Sequence, residues 1–520
     1  MDDTAYTERL KENFGFFGLG TFIYSCFYTL CMFRNPSGIT FPFFIAGSLL
    51  FFCLCLSKLG LTLRKGSGFY MVSMMLLAVS TFCTDDSRII HLNKLGIFLL
   101  VLSLLLNQFY DTSGWQLGKY VTSIVTVVFC GLGKLDRPFR DGNQYRKAYV
   151  KGKSSKAFYA VIGFLAALPL FAVIFLLLFS ADAVFRQMSR RLLEDIDLEG
   201  IICIVCMAAC MFLAVYCILA FLCEKSMKEE VKDNRKGEPI LAITVTGMLT
   251  ALYLVFSVIQ IVYLFLGRMQ LPEGYTYAKY AREGFFQLLA VSVLNLIIVL
   301  IALSFFRESR VLKAVLTIMS LCTFIMIASS ALRMVIYIRY YYLTFLRIFV
   351  LWSLVVLALL FGGVIVSIFR RKFPLFRYCC VAVTCCYIVL SFAHPDYWIA
   401  KVNVANIIGE EQGDGFFLGE PYRDLSYLSY LSADAAPVLV PWLAEGGASA
   451  EGMYAEQAQV YQPIDAEVGD YDSRVDGNTP EYIRRMNRLN EKYDSWLQLN
   501  VSRFMAGLQI EKLFDGSILK

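Results

Sequence analysis

The sequence predicts an all-α protein: a polytopic transmembrane helix bundle of about 12 spans over residues 1–393, then an acidic, mainly α-helical soluble domain over residues 394–520. Three observations predict it. Hydrophobic residues make up 58% of the 520 and charged residues only 17%, with a mean hydropathy of +0.59, where a soluble domain balances about half apolar against about a quarter charged. Twelve runs are nearly free of charge and close to the roughly 20 apolar residues that a hydrocarbon core about 30 Å thick requires. The charge, +6 in all, is divided: residues 394–520 carry 10 Lys+Arg against 20 Asp+Glu, or −10, which leaves 38 against 22, or +16, for the first 393.

The runs lie near residues 14–33, 39–57, 68–84, 92–110, 115–133, 157–180, 200–223, 240–266, 284–306, 313–332, 346–369 and 374–393. Asp85, Asp86, Arg88 and Lys94 crowd the connection between the third and fourth. The first run lacks a small-residue cleavage site behind a short apolar core and reads as a retained span. Lys and Arg collect in cytoplasmic loops. The stretch 134–156, with eight basic residues against two Asp, is therefore expected inside, and so are 224–239, 307–313 and the cluster Arg370, Arg371, Lys372. Alternation then puts both termini outside. It also leaves Lys58, Arg64 and Lys65 outside, against the rule, together with Arg186, Arg190 and Arg191 on an amphipathic stretch suited to the interface. If one of the first five runs does not cross, the amino terminus moves inside and the tail stays outside.

The tail is patterned for helices. Thr479-Pro480-Glu481 is an N-cap, a proline at the first helical position and a first-turn acid, and Tyr482, Met486, Leu489, Tyr493, Trp496, Phe504 and Leu508 follow at mostly helical spacing. Leu425 to Leu431 and Ala435 to Leu443 suggest two shorter helices broken by Pro437 and Pro441, and the Gly-, Ala- and acid-rich stretch 446–476 suggests a loop. The 127 residues are enough for a small helical domain.

Much chemistry is excluded. All 16 Cys lie between Cys26 and Cys386, nearly all within apolar runs and without neighbouring His or charge, so Cys203-x-x-Cys206 and the pairs Cys379-Cys380 and Cys385-Cys386 are expected to pack rather than to bind metal. His91 and His394 are the two His, so an H-E-x-x-H site cannot exist, and there is no phosphate-cradling G-x-x-x-x-G-K-[ST] loop. No cofactor and no metal are expected. The basic surplus belongs to loops beside lipid headgroups, which makes nucleic acid a poor partner and membrane lipids the expected one; a protein partner cannot be named from the sequence. No Asp or Glu sits near the centre of a run, where an ion-coupled pump keeps its coupling group. Gln260, Gln287 and Asn295 come closest and are expected to hydrogen-bond between helices.

One set of residues could bind an anion. Tyr277, Tyr280 and Arg282 lie in one connection, and Arg333, Tyr337, Arg339 and Arg347 flank another, both on the tail side. Guanidinium forks take phosphate in bidentate fashion, so convergence would make a site for a lipid phosphate or another anion; an aromatic belt with snorkelling arginines is the plainer account. Glu273 and Glu283 nearby would weaken its positive field. No catalytic residue is assigned. Ser432-Ala-Asp434 fits helix capping, and His394-Pro395-Asp396 fits a turn at the membrane exit.

The stretch from Leu271 to Leu289, LPEGYTYAKYAREGFFQLL, resembles the most recognisable segment of a family of bacterial polytopic membrane proteins catalogued as a domain of unknown function, the 4153/4173 group. Tyr340 to Arg347, Pro395-Asp396 with Lys401 to Val404, Leu425 to Leu439 and Trp496 to Arg503 also fit, so the resemblance covers roughly residues 150–510. It implies a bacterial integral membrane protein with a helical tail, and no activity. Tyr342 stands where the family pattern often has Gly. The functional expectation is a non-enzymatic cell-envelope protein whose outer tail senses or binds a lipid-linked or other envelope ligand. Its alternative is a transporter or flippase for an amphiphilic or lipid-linked substrate, and a weaker one is a membrane-embedded transferase using interfacial acids such as Glu273 or Asp396.

Overall fold

Backbone polar groups inside hydrocarbon must be satisfied within their own segment, so helices are what the apolar runs can form. In the computed structural model the described residues are 4–35, 37–112, 117–149, 198–225, 235–262, 285–370, 373–411, 426–445, 480–491 and 496–514, with Trp115, Met227 and scattered positions between 163 and 185. They form helices and no strand, one isolated bridge from Gly237 to Phe306 apart. The helices are α1 (Thr4–Glu12), α2 (Phe14–Met32), α3 (Thr40–Leu59), α4 (Ser67–Cys83), α5 (Ser87–Phe109), α6 (Leu117–Leu132), α7 (Arg137–Tyr149), α8 (Leu198–Cys223), α9 (Pro239–Gln260), α10 (Phe285–Phe305), α11 (Arg310–Tyr341), α12 (Phe345–Phe369) and α13 (Leu375–Phe392). After them come α14 (Pro395–Glu411), α15 (Ser426–Ser429), a 3-10 turn at Ala433–Ala435, α16 (Ala436–Ala444), α17 (Glu481–Glu491) and α18 (Val501–Phe514).

Nine of the described helices are long and apolar enough to cross a membrane: α2, α3, α5 and α8 to α13. The 17-residue α4 is apolar but shorter, and α6 with α7 forms a pair bent by 58°. The chain is thus an integral, multi-pass membrane protein. The run near 157–180, the amphipathic stretch after Val184 and the loop 446–476 lie outside the described residues except at scattered positions.

The chain divides into two compact units. The first holds residues 1–79, 95–112 and 119–230. In it Arg9 Nη1 donates to the carbonyl of Leu59 at 2.6 Å, Thr7 Oγ1 to that of Cys223 at 3.3 Å, and Arg64 Nη1 to that of Tyr110 at 2.6 Å. Tyr120, in the first turn of α6, donates to Thr112 at 3.2 Å, while Lys134, just past its end, pairs with Glu224 at 2.9 Å. These bonds link the ends of α1, α3, α5 and α8 to both ends of α6. With its 58° bend to α7, α6 belongs to a broken span or a re-entrant element.

The second unit holds residues 80–94, 113–118 and 231–520, so the expected domain boundary at Ala393 falls inside it. Tyr253, Val299, Leu316, Met319 and Val364 from α9 to α12 make one core. Ile399, Val404, Leu428, Leu439, Val440, Tyr482, Met486 and Ile510 make a second from the tail helices, with Tyr342 among them. Hydroxyls in the spans bond back one turn, as Thr246 to Ala242 and Ser320 to Leu316, and so remain satisfied in an apolar setting. Asn295 donates to Thr323 at 3.0 Å and Ser329 to Gln260 at 2.6 Å, the interhelical bonds expected of two of the three amides, whereas Gln287 is exposed on α10. One tail expectation is corrected: Pro437 starts α16 and Pro441 lies inside it, because proline's fixed φ suits a first turn and α16 tolerates one missing N–H.

Candidate functional site: a buried carboxylate junction

Four aspartates from three distant stretches converge in the second unit. Asp85 and Asp86 come from the α4–α5 connection, Asp396 from the first turn of α14, and Asp434 from the 3-10 turn. Their side chains are 9% exposed or less. A buried carboxylate is costly unless charge and hydrogen bonds meet it, and here each is met by residues more than 300 positions away or by a neighbour held there for the purpose.

Asp86 caps α5, accepting the Arg88 N–H at 2.9 Å, and takes the Arg88 guanidinium at 2.8 Å. The same guanidinium reaches Asp396 at 2.5 Å and Tyr427 Oη at 3.0 Å, and lies 4.0 Å from the centre of the Phe345 ring. One arginine thus ties α5 to α12, α14 and α15. Asp396 also accepts the Ser432 N–H at 2.9 Å. Asp434 accepts from Thr84 Oγ1 at 2.5 Å, from the Asp85 N–H at 2.8 Å, and pairs with His394 Nδ1 at 3.0 Å. Asp85 pairs with Arg503 of α18 and accepts the Ala433 N–H at 3.4 Å. Asn500 Nδ2 donates to the Thr84 carbonyl at 2.9 Å and Ser502 Oγ to that of Cys83 at 2.8 Å. Tyr482 donates to the Ser432 carbonyl at 2.8 Å, and Arg485 to that of Leu431.

Environment pulls these acids apart. Burial raises Asp85 above the usual carboxylate range, against the pull of Arg503. Asp396 is raised by burial and then by the charge of Asp86, with Arg88 opposing. Burial also pushes Asp434 up, but His394, the Asp85 N–H and the Thr84 hydroxyl outweigh it and hold it below the usual range. The hydrogen bond to Asp434 raises His394, which burial alone would lower. In this junction burial makes the charged forms of Asp85 and Asp396 costly, while the partners of Asp434 favour its charged form.

One reading of the sequence is corrected and another is extended. Asp434 caps no helix of its own; its carboxylate holds the α4–α5 connection. His394-Pro395-Asp396 does make the turn into α14, with His394 at φ 46°, but both charged side chains serve the junction. Strict alternation of twelve runs would also put residue 84 and the tail on opposite faces, since nine runs separate 84 from 393; the bonds between them are at odds with that alternation unless an odd number of those runs does not cross.

Of the anion-site candidates, Tyr277, Tyr280 and Arg282 lie outside the described residues. Arg333 is buried in α11, and Arg339 is exposed in its last turn. Arg347 is buried, donates to the carbonyls of Tyr341 and Tyr342, and lies 4.6 Å from the centre of the Tyr337 ring. It clamps the α11–α12 turn, as does Asn403, whose amide exchanges two 2.9 Å bonds with the backbone of Leu343. The clamp explains how Tyr342 holds φ 63° and ψ 173°, a conformation essentially reserved to glycine. Both Tyr342→Gly and Tyr342→Ala lose a buried ring, but only glycine relieves the backbone; the Gly variant is expected to be the more stable of the two by about 1 kcal/mol, read as thermal midpoints in detergent. Equal midpoints would remove the strain.

A family model described as "Domain of unknown function (DUF4153)" matches residues 71–441. The match takes in Asp85, Asp86, Arg88, His394, Asp396 and Asp434 and ends before α17 and α18. No curated protein and no solved structure matches the chain.

Proposed function

This chain belongs to the DUF4153 family, and we propose from that premise that it is a non-enzymatic bacterial cell-envelope protein whose tail helices bind a ligand and pass its presence to the spans through the buried junction. The observation that carries this reading is that Arg88, in the first turn of a span, is bonded directly to Asp396 and Tyr427 of the tail helices. A tail that served only as an anchor would have no need to bring two carboxylates, Asp396 and Asp434, into direct bonds with Arg88 and with the connection that precedes its helix. The test is amide exchange in the full-length Arg88→Ala protein: coupling predicts faster exchange in 80–94 and in 426–514 together, whereas a rise confined to 80–94 would sink it.

The cell membrane is the proposed location, with the tail outside. Taking α6 as re-entrant and counting α4 and the run near 157–180 as spans leaves eleven crossings and an internal amino terminus. Lys58, Arg64 and Lys65 then move to the cytoplasmic side, beside the stretch 134–156, and the breach of the positive-inside rule disappears. Reporter fusions active on one side only, at Leu61, Asp111 and Lys520, are expected to report inside, inside and outside. An inner Lys520 would turn the tail toward a cytoplasmic partner.

One observation favours a second reading, transport or flipping of an amphiphilic or lipid-linked substrate: Arg333 is buried within a span, where a cation is expensive and tends to mark a path. In reconstituted vesicles Arg333→Ala and Arg339→Ala would then lower flux, and unchanged flux in both would exclude these arginines from a path.

A further inference from the structure

The C-terminal helix α18 buries Ser502, Ala506, Gly507 and Ile510 against the tail core. That leaves a second face. Val501, Phe504 and Met505, at helical spacing, stay exposed, and Trp496 just before them is 73% exposed. Four apolar side chains within ten residues is a concentrated exposure for a tail that carries a charge of −10.

Hydrogen bonds set the level of this face. Ser391, in the last turn of the span α13, bonds Ser80 at 2.5 Å and Asn93 at 2.7 Å. Cys83 and Thr84, about one helical turn beyond Ser80, receive Ser502 and Asn500. The start of α18 is thereby bonded to residues about one helical turn, roughly 5 Å, beyond Ser80, which lies beside the end of a span; a bilayer's headgroup layer has a similar depth. Helix α14 leaves the same span end and carries an interfacial signature of its own: Trp398 is 48% exposed, with Lys401 Nζ 5.2 Å from its ring and 5.6 Å from that of Tyr397. Indole and phenol rings favour this layer.

We infer that Trp496, Val501, Phe504 and Met505 form a lipid-docking face that seats α18 in the headgroup region of the membrane the chain spans. The partner is the apolar boundary of the lipid and not its charge, because Arg503 is paired with Asp85 and the exposed Lys512 is balanced by exposed Glu511. The inference stands whichever side the tail occupies. It also gives the junction a second anchor, since a seated α18 holds Arg503 against Asp85.

The test uses full-length protein in phosphatidylcholine nanodiscs containing a trace of phospholipid with a photoactivatable diazirine near the glycerol, followed by peptide mapping. Adducts are expected in 496–505 as well as around Trp398, and Phe504→Glu is expected to lower those in 496–505 about tenfold while leaving Trp398 labelled. Phe504 is exposed, so the substitution leaves the fold intact, and Trp398 serves as the internal control. Labelling at Trp398 without labelling at 496–505 would overturn the inference. Adducts that need anionic lipid would overturn the apolar basis of the docking.

Discussion

The Arg88→Ala protein is expected to be about 3 kcal/mol less stable than the parent, with tail and α4–α5 connection loosening together. Removing one partner of a buried pair costs roughly 3–5 kcal/mol because the other charge is left uncompensated. Arg88 keeps 37% of its side chain in contact with water, which puts the loss at the lower end, while Asp86 and Asp396 behind it are 2% and 1% exposed and cannot turn to solvent. The α5 cap survives, since it uses the Arg88 backbone N–H. Arg88→Lys keeps the charge but loses the fork that spans two carboxylates and is expected to fall between the two. Adding Asp396→Asn to Arg88→Ala should restore part of the loss, because the charge left stranded is then gone. If Arg88→Ala unfolds like the parent, the junction contributes no stability and the coupling proposed for it has no physical basis.

The second large effect is on pH. His394 titrates above its ordinary 6.5 in the folded protein, so its contribution is complete below 6.5 and fades as pH rises through the folded value. Asp434 titrates below its ordinary 3.8, so its share is present above 3.8 and disappears only as pH falls through the lower folded value. Asp85 and Asp396 work in the opposite direction from Asp434: raised by burial, their charged forms cost stability above the raised values, and the cost is relieved as pH falls toward 3.8. From about pH 8 to about pH 5, above the range in which Asp434 is lost, every one of these contributions makes acidification stabilising. Arg88 and Arg503 stay charged throughout and set no slope. Denaturation midpoints of the tail are therefore expected to rise on mild acidification. His394→Gln should flatten the upper part of the curve and Asp396→Asn the lower part. A parent midpoint that falls between pH 8 and pH 6 would contradict the ion pairing at Asp434.

The pH dependence cannot be anticipated from the residues taken singly. Asp85 and Asp86 at a span end, His394-Pro395-Asp396 at a membrane exit and Ser432-x-Asp434 beside a helix each have an ordinary local explanation. Their proximity depends on how stretches more than 300 residues apart fold back on one another, and nothing in local periodicity encodes that. The one available signal was compositional: acids and an arginine crowding a short connection between apolar runs. The breach of the positive-inside rule at Lys58, Arg64 and Lys65 is likewise visible in the sequence, and the bent α6–α7 pair that the proposed topology uses to remove it is not.

By itself the sequence determined that this chain is a multi-pass helical membrane protein, where most of its spans lie, that its tail is helical and acidic, and that Gln260 and Asn295 would bond between helices. Those properties follow from solvent partition and from 3.6-residue periodicity, which act over a few turns. Only the tertiary structure decided that α6 and α7 form a bent pair, that Tyr342 adopts a glycine conformation under two side-chain clamps, and that four aspartates meet. The reason is that burying a charge is favourable only where its partner already stands, and the partners here are brought together by the packing of whole helices and not by their neighbours in sequence.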